Sequence, residues 1–70
     1  MQSNETLQYC FIERLIKEQL RVSIFLVNGI RLFGIILSHD NEVIILKDIG
    51  LQLVYKHSIA SILPDTAIKT

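Results

Sequence analysis

The stretch VSIFLVNGIRLFGIIL, residues 22–37, decides the fold because it joins two β-strand patterns through a turn signal. Aliphatic, β-branched and aromatic residues fill both halves, as is typical of short strands. Asn28 and Gly29 separate the halves, and both residues tolerate positive φ, which predicts a hairpin with a two-residue loop. Gly34 interrupts the second half, and a missing side chain inside a strand predicts a bend or a bulge.

Three further strand patterns follow along the chain. They read EVIIL over 42–46, LQLVY over 51–55 and SIASIL over 58–63, with turn formers between them. Several strands are apolar on both faces, so one face can line a small barrel while the other needs a helix or a neighbouring subunit. We therefore predict a mainly β fold of five bent antiparallel strands in a small open barrel, whose edges can join copies into a ring.

An amphipathic helix is predicted before the strands, over residues 7–18. Its apolar stripe consists of Leu7, Phe11, Ile12, Leu15 and Ile16. Such a stripe must lie on something apolar, which the first strands can provide. The chain then divides into an N-terminal tail (1–6), one domain (7–64) and a short C-terminal tail (65–70).

Composition limits what such a domain can do. A chain of 70 residues buries only about 60% of its unfolded surface. Half of the residues are hydrophobic, so we expect the chain to share apolar surface with copies of itself. Seven Lys and Arg balance seven Asp and Glu, so any RNA or DNA site must concentrate its charge locally. There is no signal peptide and no apolar run near the ~18 residues of a membrane span, so we expect a cytoplasmic protein without membrane contact.

The sequence contains no recognisable catalytic or metal-binding constellation. His39, Asp40 and His57 can be imagined with Cys10 as a nucleophile, but Cys10 falls inside the predicted helix without an activating cation. A single cysteine excludes an intrachain disulfide and a cysteine-based metal site. We therefore expect no enzyme, no cofactor and no metal, and we interpret His39 as a turn residue.

A second stretch, LVYKHSIASILP over residues 53–64, places three unusual groups between two strands. They are Tyr55, Lys56 and His57, where a plain turn would use Gly, Asn or Pro. Taken alone, a Lys-His pair in a loop is usually just solvated. We interpret Tyr55 as structural, with its hydroxyl bonding across a subunit contact.

The two stretches together resemble a known family. Residues 22–48 look like the first Sm motif of bacterial Hfq, and residues 53–64 resemble its second motif, whose hallmark is Tyr-Lys-His before the last strand. The resemblance covers residues 7–64. It implies an Sm-like homohexameric ring of SH3-type barrels. Such a ring acts as an RNA chaperone that pairs small regulatory RNAs with messenger RNAs in post-transcriptional regulation.

The resemblance also implies two faces that bind single-stranded RNA. On the face at the central pore, U-rich 3′ ends would be held by Gln8, Asn41, Lys56 and His57. The opposite face would stack and read A-rich single strands. The positions that match this opposite face are Phe25, Leu26, Gly29, Ile30, Arg31, Leu32, Phe33, Gln52 and Ser61. A weak rim site would use Arg14 and Lys17.

Departures from the family pattern narrow these expectations. Glu42 stands where an aromatic usually stacks a uracil, and a carboxylate repels phosphate. Phe33 replaces a polar side chain that helps to read adenine in enterobacterial members. The helix rim reads IKEQ over 16–19 instead of an arginine-rich patch, which argues against strand annealing. The alternative is a ring with reduced RNA binding that acts as a scaffold or as a subunit of a mixed assembly.

Overall fold

The computed structural model describes residues 3–65, which form one helix followed by five antiparallel strands. The elements are α1 (Ser3–Glu18), β1 (Arg21–Leu26), β2 (Arg31–His39), β3 (Val43–Lys47), β4 (Leu51–Tyr55), a short 3₁₀ helix (Lys56–Ser58) and β5 (Ile59–Pro64). The strands form one sheet in the order β4-β3-β2-β1-β5, so β4 and β5 are its edges. The predicted fold class, a helix before a five-stranded open sheet, is confirmed.

The strands lie within a residue or two of their predicted bounds, but α1 begins earlier than predicted. It starts at Ser3 and not at residue 7, so the helix includes residues 3–6. This segment contains neither Gly nor Pro, and extending an existing helix is much easier than nucleating one. Residues 1–2 and 66–70, the rest of the predicted tails, lie outside the described residues.

The core lies between α1 and the sheet. Ile12 and Leu15 of the helix join buried side chains from four strands: Val22, Ile24, Ile36, Ile44, Leu46 and Val54. Leu7 and Phe11, predicted as part of the same stripe, are exposed in a single chain. The apolar stripe of α1 is therefore wider than the sheet of one chain covers.

A Schellman motif ends α1. Gln19 has a φ of 54°, and its N–H donates to the Ile16 carbonyl oxygen at 3.1 Å. The Leu20 N–H donates to the Leu15 carbonyl oxygen at 3.2 Å. These two bonds satisfy carbonyl groups that the helix end leaves open, and they turn the chain directly into β1.

The loop between β1 and β2 has three residues and not the predicted two. The Leu26 N–H donates to the Ile30 carbonyl oxygen at 2.8 Å, which encloses Val27, Asn28 and Gly29. Gly29 is the residue with positive φ (95°), while Asn28 accepts a hydrogen bond from the Ile30 N–H through its side-chain oxygen at 3.0 Å. The Asn-Gly signal thus predicted the hairpin correctly and its loop length wrongly.

Gly34 allows β2 and β3 to approach closely. Its φ is +150°, and a Cβ atom added there would overlap the carbonyl oxygen of Lys47. The register shift between β2 and β3 lies further along, between Ile36 and Ser38. The predicted irregularity in this strand therefore exists, but Gly34 is needed for close backbone packing and the bulge forms beside it.

We predict that Gly34→Ala lowers the free energy of unfolding by roughly 2–4 kcal/mol, because it combines an unfavourable φ with overpacking against backbone atoms. Gly50→Ala is the matched control, since a Cβ there meets nothing within 4 Å and its φ is not in the left-handed region. Chemical denaturation of both variants at equal protein concentration measures the difference. Equal stability of the two variants would contradict this account of Gly34.

Candidate nucleic-acid interface

The connection that carries Lys56 and His57 is held in place at both ends. It forms a single 3₁₀ turn between β4 and β5. The Lys56 N–H donates to the Glu42 carbonyl oxygen at 2.8 Å, and the Val27 N–H donates to the Ser58 carbonyl oxygen at 2.8 Å. Backbone bonds to two separate loops therefore fix the turn.

A pocket of about 570 Å³ opens beside this turn. It is lined by Gln8, Tyr9, Asn41, Glu42, Tyr55, Lys56 and His57. The four residues predicted for the pore face, Gln8, Asn41, Lys56 and His57, are thus brought together from the helix, a turn and the 3₁₀ helix. Amides, which donate and accept, lie beside an ammonium and an imidazole. A pocket of this size can hold a nucleotide base.

His39 was wrongly interpreted as a turn residue. It is the last residue of β2, and its side chain is only 1% exposed. Its Nδ1 atom lies 2.9 Å from Lys56 Nζ, and its Nε2 atom lies 2.9 Å from Glu13 Oε2. Neither partner is close to His39 in sequence, so no spacing rule could have found this connection.

Tyr9 is a second residue that the sequence analysis missed. Its ring lines the pocket and packs against the His39 ring, with centroids 4.8 Å apart and planes tilted by 45°. Its neighbour Gln8 was predicted as a site residue. The signal available in the sequence was the position of Tyr9 next to Gln8 on the predicted helix.

Asp40 organises the turn that carries Asn41. Its carboxylate oxygen Oδ1 accepts hydrogen bonds from the Glu42 and Val43 N–H groups, at 2.8 and 2.9 Å. These bonds hold the pKa of Asp40 below its usual range, and the charge of Lys56 adds a smaller contribution in the same direction. Because the native-state pKa lies below the unfolded value of about 3.9, ionised Asp40 stabilises the fold at any pH above that value. The stabilisation is lost only as the pH falls through the native-state pKa. The ionised Asp40 carboxylate therefore stabilises the turn at neutral pH.

A separate cluster lies on the outward side of β1 and β2. Phe25 pairs with Arg31 in the sheet, and Ser23 pairs with Phe33. The Arg31 guanidinium carbon lies 5.1 Å from the Phe25 ring centroid and 5.2 Å from the Phe33 centroid. One cation therefore bridges two aromatic rings, of which Phe33 is clearly exposed.

The other residues predicted for the opposite face are distributed around this cluster. Ile30 is exposed beside the hairpin loop, whereas Leu26 and Leu32 are partly buried and pack against the core. Ser61 lies on β5 opposite Phe25, and Gln52 lies exposed on β4 at the other edge of the sheet. Gln52 is thus separated from Phe25 by β3 and β2 within one chain, so a single copy does not bring the whole set together.

The predicted rim residues lie on the exposed side of α1. Arg14 Nε is 3.2 Å from Glu18 Oε2, with both side chains largely in solvent. Exposed pairs of this kind contribute little to stability, but the carboxylate offsets the charge that Arg14 would offer to a phosphate. Lys17 is exposed on the same helix. The rim therefore presents little net positive charge.

Comparison with known proteins assigns the chain to a family. The family model "Hfq protein" matches residues 7–69. The chain belongs to the Hfq family. A crystal structure of the pleiotropic translational regulator Hfq is 30% identical, with a TM-score of 0.82, covering 93% of this chain and all of that one. The crystal structure of an Hfq protein from Anabaena sp. is 27% identical, with a TM-score of 0.79, covering 84% of this chain and 97% of that one.

The Hfq family consists of Sm-like, RNA-binding chaperones and not of enzymes, and the chain is a member of it. Within residues 7–65, whose side chains the structure describes, no three His, Cys, Asp or Glu side chains are grouped to hold a metal ion. None of the helices in the described part of the chain is long and apolar enough to cross a membrane.

Proposed function

We propose that the chain forms a homohexameric ring in the cytoplasm. The ring binds single-stranded RNA on two faces, and its RNA ligands are small regulatory RNAs and messenger RNAs. The observation that carries the proposal is the pocket beside the 3₁₀ turn, where Gln8, Asn41, Lys56 and His57 converge. The family match supports RNA as the ligand. As a chaperone of this kind, the ring would support post-transcriptional regulation by small RNAs.

The pore face would capture U-rich RNA ends. Lys56 can donate to a uracil carbonyl oxygen, and His57 can contact a phosphate or a ribose hydroxyl. The amides of Gln8 and Asn41 can both donate to and accept from a base edge. Although the chain has zero net charge, six copies of the turn around one pore would concentrate positive charge where the RNA enters.

The opposite face would bind A-rich single strands through the aromatic cluster. The Phe25 and Phe33 rings offer stacking surfaces, and base–aromatic stacking contributes about 1–3 kcal/mol per base. Arg31 lies between the two rings, where it can also contact phosphate. Gln52 can read adenine because its amide offers both a donor and an acceptor.

Assembly would complete this second face. Joining β4 of one copy to β5 of the next would bring Gln52 towards the neighbour's Ser61 and Phe25, which a single chain keeps apart. The edges also carry apolar side chains that a soluble monomer has no reason to expose, including Leu51, Leu53 and Tyr55 on β4 and Leu63 on β5. Edge-to-edge pairing in a head-to-tail sense closes into a ring when the rotation fits.

A ring that has lost much of its RNA binding is the alternative function. Two observations favour it: the Glu42 carboxylate lines the pocket, and Glu18 is paired with Arg14 on the rim. Both place negative charge where RNA phosphates would approach. Such a ring would act as a scaffold or as a subunit of a mixed assembly.

We predict that Lys56→Ala weakens binding of a U-rich oligomer by at least about tenfold, since a hydrogen bond to a charged group is lost at the pocket. Binding of an A-rich oligomer should change little. Lys47→Ala is the matched control, because it removes the same charge from an exposed position outside both faces. Anisotropy titrations of the wild type and both variants with each oligomer, at stated salt concentrations, measure the six affinities.

Wild-type binding should also weaken as salt rises, with a slope that reports the number of phosphate contacts. Equal loss of U-rich binding in the Lys56 and Lys47 variants would contradict a specific pocket. Failure of the wild type to bind either oligomer would favour the scaffold function.

We predict that Leu53→Glu breaks the assembly into smaller species, because it places a charge on the exposed apolar side of the β4 edge, where Leu53 is 55% exposed. Ile49→Glu is the control, since Ile49 is 98% exposed but lies in the turn before β4. Size-exclusion chromatography with light scattering distinguishes the two outcomes, and circular dichroism verifies that both variants fold. An unchanged mass for Leu53→Glu would count against assembly through this edge.

A further inference from the structure

A set of hydrogen bonds connects Lys56 of the pore-face pocket to His39 and Glu13, two residues that the proposed function does not use. It runs from Lys56 Nζ through the His39 imidazole to Glu13 Oε2, with both distances 2.9 Å. The His39 side chain lies almost entirely out of solvent, whereas the Glu13 side chain is about half exposed. The three residues come from the 3₁₀ turn, the end of β2 and the helix.

The donor and acceptor groups in this set of hydrogen bonds assign the imidazole tautomer. The Lys56 ammonium can only donate, so Nδ1 of His39 must accept. The proton of neutral His39 is then on Nε2, which donates to the Glu13 carboxylate, an acceptor. The Tyr9 ring packs against the imidazole and limits its rotation. Both nitrogens of His39 are thus satisfied in one orientation only.

We propose that His39, anchored by Glu13, is a positioning residue that orients the Lys56 ammonium towards RNA in the pocket. The inference rests on the proposed function, because it concerns the same pocket. The ammonium has three N–H donors and gives one to His39, so two remain for a base or phosphate oxygen.

The physical reason for such an arrangement is preorganisation. A free lysine side chain loses much rotamer entropy when a ligand immobilises it, which weakens binding. His39 has already restricted Lys56 before RNA arrives. Because the imidazole is neutral in this tautomer, it orients the ammonium without opposing its charge.

A double-mutant cycle tests whether His39 acts through Lys56. We expect His39→Leu to weaken U-rich binding by about fivefold to tenfold, because the Lys56 ammonium would no longer be oriented for its charge-assisted hydrogen bond to RNA. A-rich binding on the opposite face should be unchanged. His39→Gln should restore U-rich affinity to within about twofold, since an amide can accept from Lys56 and donate to Glu13 at once. In a Lys56→Ala background, His39→Leu should have no further effect.

Outcomes of the cycle separate this inference from the proposed function. If the wild type binds the U-rich oligomer but His39→Leu binds equally or more tightly, His39 does not position Lys56 and the inference is wrong. An equal further loss in the Lys56→Ala background overturns it as well. Absence of U-rich binding by the wild type overturns the proposed function and this inference with it.

Nuclear magnetic resonance of ¹⁵N-labelled histidine provides a readout independent of RNA. The ring nitrogens of His39 should report the Nε2–H tautomer in the free protein, and Lys56→Ala should shift the Nδ1 signal while leaving that of His57 nearly unchanged. An Nδ1–H tautomer in the wild type would overturn the inference, because Nδ1 would then have no lone pair for Lys56.

A second inference rests on a different observation, the exposed ring of Tyr9. Tyr9 is 52% exposed and lines the pocket beside Gln8, and its ring packs against the His39 ring. Glu42 lines the same pocket with a carboxylate that offers no stacking surface. We infer that Tyr9 stacks on a base bound in the pocket, which again presumes the proposed function.

Photo-cross-linking tests the stacking directly. A U-rich oligomer containing 5-iodouridine should cross-link to Tyr9, as identified by mass spectrometry. Tyr9→Leu should weaken U-rich binding by about tenfold, while Tyr9→Phe keeps it, because stacking needs the ring and not the hydroxyl. Cross-linking at Tyr55 without Tyr9, or equal affinities of the two variants, would overturn this inference. A wild type that binds no U-rich RNA would instead remove the proposed function.

Discussion

The two sheet edges are the constraint on which the rest of the structure depends. The order β4-β3-β2-β1-β5 leaves one side of β4 and one side of β5 without a neighbouring strand in the described chain. Exposed apolar side chains lie on both edges, among them Leu53 and Leu63. A small domain gains stability by covering such edges, and copies of itself are the simplest cover. In the proposed ring, the same contacts that satisfy the edges also create the RNA-binding faces.

Concentration of charge is the functional consequence of that assembly. The chain carries no net charge, and its rim pairs a cation with a carboxylate. The pocket is distinguished by the fixed position of its cation. Backbone hydrogen bonds from the turn to the Glu42 carbonyl oxygen and from the Val27 N–H to the turn fix the 3₁₀ helix, and His39 contacts the Lys56 ammonium. A single fixed cation has a weak effect in water, whereas six around one pore would create a field strong enough to attract RNA.

Local patterns in the sequence predicted most of the fold. Alternating and continuous apolar runs indicated five strands, and Asn28-Gly29 indicated the first hairpin. Errors arose where tertiary contacts decide: the hairpin loop has three residues, the helix begins at Ser3, and Leu7 and Phe11 are exposed although they fit the helical period. Periodicity identifies a stripe on a helix, but only packing determines which part of the stripe one chain covers.

The candidate site was predictable to the extent that a motif carries it. Tyr55-Lys56-His57 led to the pore-face set, whose four residues do line one pocket. The contact between His39 and Glu13 could not be predicted, because 26 residues separate them and no local sequence pattern indicates it. For the opposite face, matching positions could not reveal that Leu26 and Leu32 pack against the core, or that Gln52 lies at the far edge of the sheet.

Native mass spectrometry of the wild-type protein with and without a short U-rich oligomer tests the central claim most directly. The account predicts a particle of six chains that retains the oligomer in its bound form. A stable single chain, with or without RNA, would contradict it, because neither the cationic pore nor the completed opposite face can form in one copy.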